Sequence, residues 1–238
     1  MNENGIPRVI SQTHPKSIIA EAFRTLRTNV NFSSAAGKPL HTLMVTSSGP
    51  EEGKSTTVAN LSVVLAQAGY KVLIVDADLR KPVQNKIFQL DNHKGLTNLL
   101  VEDLEPSDLI RPTILEGLDI LTTGPIPPNP SELLASQRMK ELLDFFSEKY
   151  QIVLVDTPPA IAVTDAVVLA TLVDGAILVI RGGMSRIEMV RDAKAVLDKT
   201  GVRIIGTVLN GVKMQGDNYY YYYYYYGEKR KSHRKHHQ

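Results

Sequence analysis

Residues 43–57 read LMVTSSGPEEGKSTT: an apolar run, a loop of small and acidic residues, then Gly53-Lys54-Ser55-Thr56 at the head of a helical pattern. The order strand, glycine-containing loop, Lys-Ser, helix is what phosphate binding requires. Small residues let backbone N–H groups approach an anion, and the helix N-terminus adds a partial positive charge. In such a loop Lys54 reaches the outer phosphates of a nucleotide and the Ser55 hydroxyl can ligate Mg²⁺. The strict pattern G-x-x-x-x-G-K-[ST] asks for glycine at position 48, where this chain has Ser48. Gly49 follows it, and Pro50 removes one N–H donor. The candidate nucleotide contacts are Gly49, Glu52, Gly53, Lys54, Ser55 and Thr56.

Outward from this loop, short β-branched runs alternate with helical patterns. Strands are expected over 40–46, 71–75, 118–121, 152–155, 176–180 and 203–209. Helices are expected over 16–32, 55–68, 131–150, 165–172 and 186–199. Residues 124–130, GPIPPNP, read as a stiff connection into a helix capped by Ser131, with Glu132 in its first turn. This alternation implies an α/β fold: a doubly wound, mostly parallel sheet flanked by helices, of the P-loop NTPase kind. Ligands of such sheets bind beyond the carboxyl ends of the strands.

Acidic residues stand at those ends. VLIVDADLR (72–80) places Asp76 and Asp78 just past one strand, and IVLVD (152–156) ends another on Asp156. One acidic residue there could be a turn former. Three beside a Lys-Ser loop can hold Mg²⁺ directly or through water. Asp76 and Asp78 are two apart, so on an extended chain both point to one side. One can then serve the metal while the other faces an incoming hydroxyl. Asn210, at the end of the last strand, is a candidate contact to the nucleotide base, with a plain turn before Gly211 as the equal alternative.

Composition sets the outer bounds. The chain has 238 residues, 43% hydrophobic, with no cysteine and a net charge of +2. Disulfides, thiolate metal sites and cysteine nucleophiles are excluded together. No apolar run approaches the roughly 20 residues of a membrane span, and the first residues lack the apolar stretch of a signal peptide. Bulk charge gives no reason to expect a specific nucleic-acid partner. The averages conceal a divided chain. Eight of the ten tyrosines are consecutive: Tyr219, Tyr220, Tyr221, Tyr222, Tyr223, Tyr224, Tyr225 and Tyr226. The last twelve residues, GEKRKSHRKHHQ, carry a net +4, which leaves −2 for the rest. Three parts are expected: an irregular lead (1–15), a P-loop domain (16–218) and a flexible tyrosine-rich, basic tail (219–238).

With these motifs the sequence resembles the bacterial tyrosine kinases of the CapB type, which are similar to MinD-like and ParA-like P-loop ATPases. The resemblance covers nearly the whole chain. It rests on a Walker A variant at PEEGKST (50–56), a Walker A′ at LIVDADLR (73–80) and a Walker B at IVLVD (152–156). The second lysine of the MinD and ParA loop would fall at Gly49 and is absent. The resemblance implies ATP and Mg²⁺ as cofactors, transfer of the γ-phosphoryl group to tyrosine, and autophosphorylation of the tyrosine cluster within a ring-type homo-oligomer. Lys54, Asp76 and Asp78 are then the catalytic residues: Ser55 and Asp78 ligate Mg²⁺, Asp156 acts through water, and Asp76 accepts the tyrosine proton. The roles of the two Walker A′ aspartates can be exchanged. Glu21, Arg24 and Arg27 form E-x-x-R-x-x-R on one helix face, which in the family contacts the neighbouring subunit. Further implied partners are a separate membrane activator with a cytoplasmic tail, a cognate tyrosine phosphatase and protein substrates of polysaccharide synthesis. The implied location is the cytoplasm, with recruitment to the inner membrane face, and the implied role is control of capsular or exopolysaccharide synthesis. A MinD- or ParA-like ATPase switch would explain the loop and the acidic strand ends but not eight tyrosines. A non-catalytic nucleotide-binding regulator of polysaccharide export is the other alternative.

Overall fold

A computed structural model describes residues 9–35 and 39–212. The tyrosine block and the basic end therefore lie outside the described residues. Seven strands form one sheet in the order β3-β4-β2-β5-β1-β6-β7. They are β1 (Thr42–Ser47), β2 (Val72–Asp76), β3 (Arg111–Pro112), β4 (Leu118–Leu121), β5 (Ile152–Asp156), β6 (Gly175–Arg181) and β7 (Ile204–Asn210). All pairings are parallel except β3 with β4.

β1, β2 and β5 are buried along their whole length. Their residues alternate between two apolar cores, one on each face of the sheet. Leu43, Val45, Ile74 and Leu154 point into one. Met44, Leu73, Val75, Val153 and Val155 point into the other. Strands clothed on both sides read as continuous apolar runs, which is why β1, β2 and β5 were legible to within about two residues.

Helix α3 (Lys54–Ala66) lies in the first core and has eleven of its thirteen residues buried. A helix apolar on every side needs cover on its outer face as well. Helices α1 (Ile10–Thr13) and α2 (Ile18–Ala35) supply it. Asn60 accepts a hydrogen bond from the Ser11 N–H at 2.9 Å, and Arg27 donates to the Val64 carbonyl at 2.9 Å. The lead is therefore not wholly irregular: residues 10–13 are a short helix, with Val9 and Ser11 buried. The second core is closed by α8 (Gln137–Lys149), α9 (Asp165–Ala170) and α10 (Ile187–Thr200), with Phe146, Leu142, Leu169 and Leu197 inside it.

The helix expected over 131–150 is two helices, α7 (Pro130–Leu134) and α8. Ser136 is extended at the break, and its hydroxyl accepts from the Met139 N–H, so α8 has its own cap. Ser131 is not the cap: Asn129 precedes a helix that begins on Pro130, and the Ser131 hydroxyl donates to Asp165 instead. Four further short elements carry too few residues to show a period: α4 (Gln84–Ile87), α5 (Leu96–Val101), α6 (Pro106–Leu109) and β3. β3 is an edge strand, where Pro112 costs no ladder bond.

Candidate active site

The strand order makes the site. β5 lies between β2 and β1, and Asp76 at the end of β2 is in register with Asp156 at the end of β5. The loop after β1 runs over both and feeds α3. Thr57 is the first residue whose N–H is bonded helically, to the Gly53 carbonyl at 2.9 Å. The preceding N–H groups of α3 have no partner inside the helix, the arrangement that suits an anion at its N-terminus.

The loop holds its shape through contacts that the Walker pattern does not predict. Glu52 is buried. Its carboxylate accepts from the Ser48 N–H at 2.8 Å, the Ser48 hydroxyl at 2.8 Å, and the Ser185 hydroxyl. Ser48, where the strict pattern has glycine, is thus one half of an internal brace, and Glu52 braces the loop with its side chain. Glu51 has φ +60°, and its carbonyl accepts from Arg181 at 2.7 Å. Gly53 has φ +98°, and a Cβ there would lie 2.0 Å from Nδ2 of Asn210. That amide donates to the Glu52 carbonyl at 3.0 Å, and its Oδ1 accepts from the Gly211 N–H. Asn210 therefore fastens the loop to β7. Replacing Glu52 with alanine leaves buried donors of Ser48 and Ser185 unpaired, so nucleotide binding should weaken about tenfold, or roughly 1–2 kcal/mol. Titration with a fluorescent ADP analogue checks this, and Glu52→Gln, which keeps one carbonyl oxygen, should lose less.

Lys54 sits at the centre of the acidic group. Its Nζ is 2.8 Å from Oδ2 of Asp78, 3.3 Å from Oγ of Ser55 and 3.9 Å from Oδ1 of Asp156. Burial works against its charge, but Asp156 and Asp78 outweigh burial and hold its pKa above the ordinary lysine value. Both oxygens of Asp78 are engaged, the second by the Lys81 N–H at 3.0 Å. Asp76 uses only Oδ2, which accepts from the N–H groups of Val83 (3.2 Å) and Gln84 (3.0 Å). Burial first, and then the neighbouring Asp156, push the Asp76 carboxyl up to about 8. Asp156 is raised as well, chiefly by burial and against the pull of Lys54.

Oδ1 of Asp76 and Oδ1 of Asp156 are buried without a hydrogen-bond partner. Unmet buried acceptors beside a Lys-Ser loop fit a hydrated cation. Among the described residues no three acidic or histidine side chains converge as a metal cage.

The expected site residues of the loop and the three aspartates thus come together. Gln84, Arg181 and Ser185 belong to the same group and were missed, because no local motif marks a residue that reaches the site from another turn. Glu21, Arg24 and Arg27 lie elsewhere, on α2. Arg24 donates to Glu21 at 2.7 Å and to the Pro15 carbonyl at 2.9 Å, so with Arg27 on Val64 much of this motif's bonding is spent within the chain.

A parallel sheet with a braced phosphate loop after its first strand and aspartates at the two neighbouring strand ends defines a P-loop nucleotide-binding protein. The AAA-domain family model matches residues 49–184. Tyrosine-protein kinase YwqD of Bacillus subtilis (strain 168) is 45% identical over 206 residues, covering 87% of this chain and 86% of that one. Among solved structures, the chimerical protein CapA2B2 superposes with a TM-score of 0.83 at 42% identity, over 87% of this chain and 90% of that one. The septum site-determining protein MinD of Pyrococcus horikoshii OT3, complexed with Mg-ADP, has a TM-score of 0.62 at 28% identity, over 71% and 69%. The chain belongs to the bacterial tyrosine-protein kinases and is an enzyme that transfers a phosphoryl group from ATP to tyrosine. Among the described residues no helix is long and apolar enough to cross a membrane.

Proposed function

We propose that this kinase phosphorylates its own tyrosines, Tyr219 to Tyr226, in trans within a homo-oligomer, with Mg-ATP as donor. The reading is carried by one coincidence: a lysine–carboxylate group under a phosphate loop, in a chain that carries eight consecutive tyrosines at 219–226. The γ-phosphoryl group moves from the leaving oxygen of ADP to a tyrosine oxygen, and the tyrosine proton passes to a carboxylate. Free tyrosine has a pKa near 10, so at pH 7 it arrives protonated and needs that acceptor. Asp78 serves as acceptor once phosphate competes for Lys54. Ser55, Asp76 and Asp156 hold Mg²⁺ directly or through its water, which exchanges the two Walker A′ roles relative to the first assignment. The exchange is supported by the unpartnered Oδ1 of Asp76 and the full engagement of Asp78. Mg²⁺ supplies charge neutralisation on the phosphates.

Residues 211–226 span at most about 50 Å when extended, enough to reach a neighbouring subunit. Glu21, Arg24 and Arg27 are the proposed subunit contact. A separate membrane activator, a cognate tyrosine phosphatase and substrates in capsular or exopolysaccharide synthesis complete the setting, at the inner face of the cell membrane. The parts proposed are a kinase domain over 16–218 and a substrate tail over 219–238.

Incubation with Mg²⁺ and γ-labelled ATP, followed by mass spectrometry, should place label on the tyrosine block. The specific rate should fall as the protein is diluted below its assembly constant. A rate independent of concentration would count against transfer between subunits. Free phosphate without protein label would favour an ATPase switch.

A further inference from the structure

Gln84 is fully buried, and it touches all three motifs of the site. Its backbone N–H donates to Oδ2 of Asp76 at 3.0 Å. Its side-chain Nε2 donates to Oδ2 of Asp156 at 2.8 Å and to the Ser55 carbonyl at 3.1 Å. One amide group therefore ties the Walker B carboxylate to the first turn of α3, while its own main chain holds the Walker A′ carboxylate.

The bonding leaves a pattern. Six buried side-chain oxygens lack a hydrogen-bond partner among the described residues, and three of them belong to these three residues: Oε1 of Gln84, Oδ1 of Asp76 and Oδ1 of Asp156, the last with Lys54 at 3.9 Å. Each residue has its other polar atom fixed by a neighbour, so the three free oxygens are acceptors set in place. Native proteins rarely leave buried acceptors unmet, and a water or ion normally supplies the donor. All three oxygens accept and none can donate while the carboxylates are charged. With the carboxylates charged, a cation's coordinated water is a donor that fits all three.

We propose that Gln84 is a positioning residue for phosphoryl transfer: its amide fixes the Asp156 carboxylate against the first turn of α3 and its main chain holds Asp76, the carboxylates that would hold the nucleotide's Mg²⁺ directly or through water. The inference rests on the Mg-ATP reading above. Residues that orient metal ligands typically change metal affinity 10–100-fold when replaced. The test is binding of a fluorescent ADP analogue to the full chain, titrated with Mg²⁺ and repeated in EDTA, for wild type, Gln84→Met and Gln84→Glu. Methionine keeps the length and removes the amide. Glutamate keeps the shape, cannot donate when ionised, and adds a fourth carboxylate beside Asp76, Asp78 and Asp156.

Both variants should raise the Mg²⁺ concentration for half-saturation at least tenfold and leave nucleotide binding in EDTA within twofold. In the labelling assay kcat should fall at limiting Mg²⁺ and recover partly at high Mg²⁺, with little change in KM for ATP. Unchanged Mg²⁺ half-saturation in both variants would overturn the proposal. So would an equal loss of binding with and without metal, because Gln84 would then act through packing alone. Nucleotide binding by wild type that ignores Mg²⁺ would instead overturn the Mg-ATP reading itself.

Discussion

Replacing Lys54 with methionine should lower phosphoryl transfer by at least about a thousandfold, the scale on which a single preorganised charge at a reacting phosphoryl group acts. The same substitution should cost stability, and this second effect separates the site from a generic phosphate loop. Lys54 is the only cation within bonding reach of Asp78 and Asp156 among the described residues. Without it, buried carboxylates lose their counter-ion, a change that costs about 3–5 kcal/mol when a buried pair is broken. The loss should be largest near pH 8 and shrink toward pH 5, where carboxylates without a counter-ion take up protons. Chemical denaturation at the two pH values checks this. A Lys54→Met protein as stable as wild type at pH 8 would mean that the acidic group is held apart by something other than this lysine.

Lys54 thus has two employments. In the structure it holds Asp78; in catalysis it must hold phosphate. On the proposed function, nucleotide binding would trade a carboxylate oxygen for phosphate oxygens at the same nitrogen and release Asp78. The ion pair at 2.8 Å would then be a reserve that sets the carboxylate free when a phosphate arrives.

Much of this was legible in the sequence because it depends on short-range pattern. GKST opens the helix after β1, DAD and IVLVD mark the ends of β2 and β5, and the burial of β1, β2 and β5 along their whole length follows from their continuous apolar runs. What sequence could not show was the spending of polar groups over long separations. Glu52 looked like a nucleotide contact, yet its carboxylate is taken by Ser48 and Ser185. Ser131 looked like a helix cap, yet it serves Asp165. Gln84 carried no motif at all, because its partners at Ser55 and Asp156 come from elements 29 and 72 residues away. Hydrogen bonds of this kind depend on the packed sheet, and no local spacing encodes them.

Arg80→Ala should be strongly destabilising for a substitution at the surface, costing about 1–2 kcal/mol at pH 7, because Asp165 is buried while the guanidinium itself is 40% exposed. Arg80 donates from Nε to Oδ2 of Asp165 and from Nη2 to Oδ1, both at 2.9 Å, and the Ser131 hydroxyl adds a third bond to the same carboxylate. Asp165 is fully buried in α9. Burial alone would raise its pKa, but the bonds from Arg80 and Ser131 overcome burial and hold the carboxyl below the usual range. A carboxyl depressed in the folded state stabilises the protein above its unfolded pKa, near 4, and loses that contribution as pH falls through the lower folded value. Wild type and Arg80→Ala should therefore differ most near neutral pH and converge as pH falls, first as the stranded Asp165 of the variant takes up a proton and then as the wild-type carboxyl passes its lowered value. Arg80→Lys should recover only part of the loss, because a point charge cannot match both oxygens as the fork does. Arg80→Ala/Asp165→Asn should be more stable than Arg80→Ala alone, since the neutral amide removes the stranded charge. The consequence reaches catalysis through the chain itself. Arg80 lies between Asp78 and Gln84, and its grip on α9 fixes the loop that carries both. Arg80→Ala should therefore lower kcat even at temperatures where the protein remains folded. If labelling by the folded variant matched wild type, the Arg80–Asp165 pair would serve stability alone.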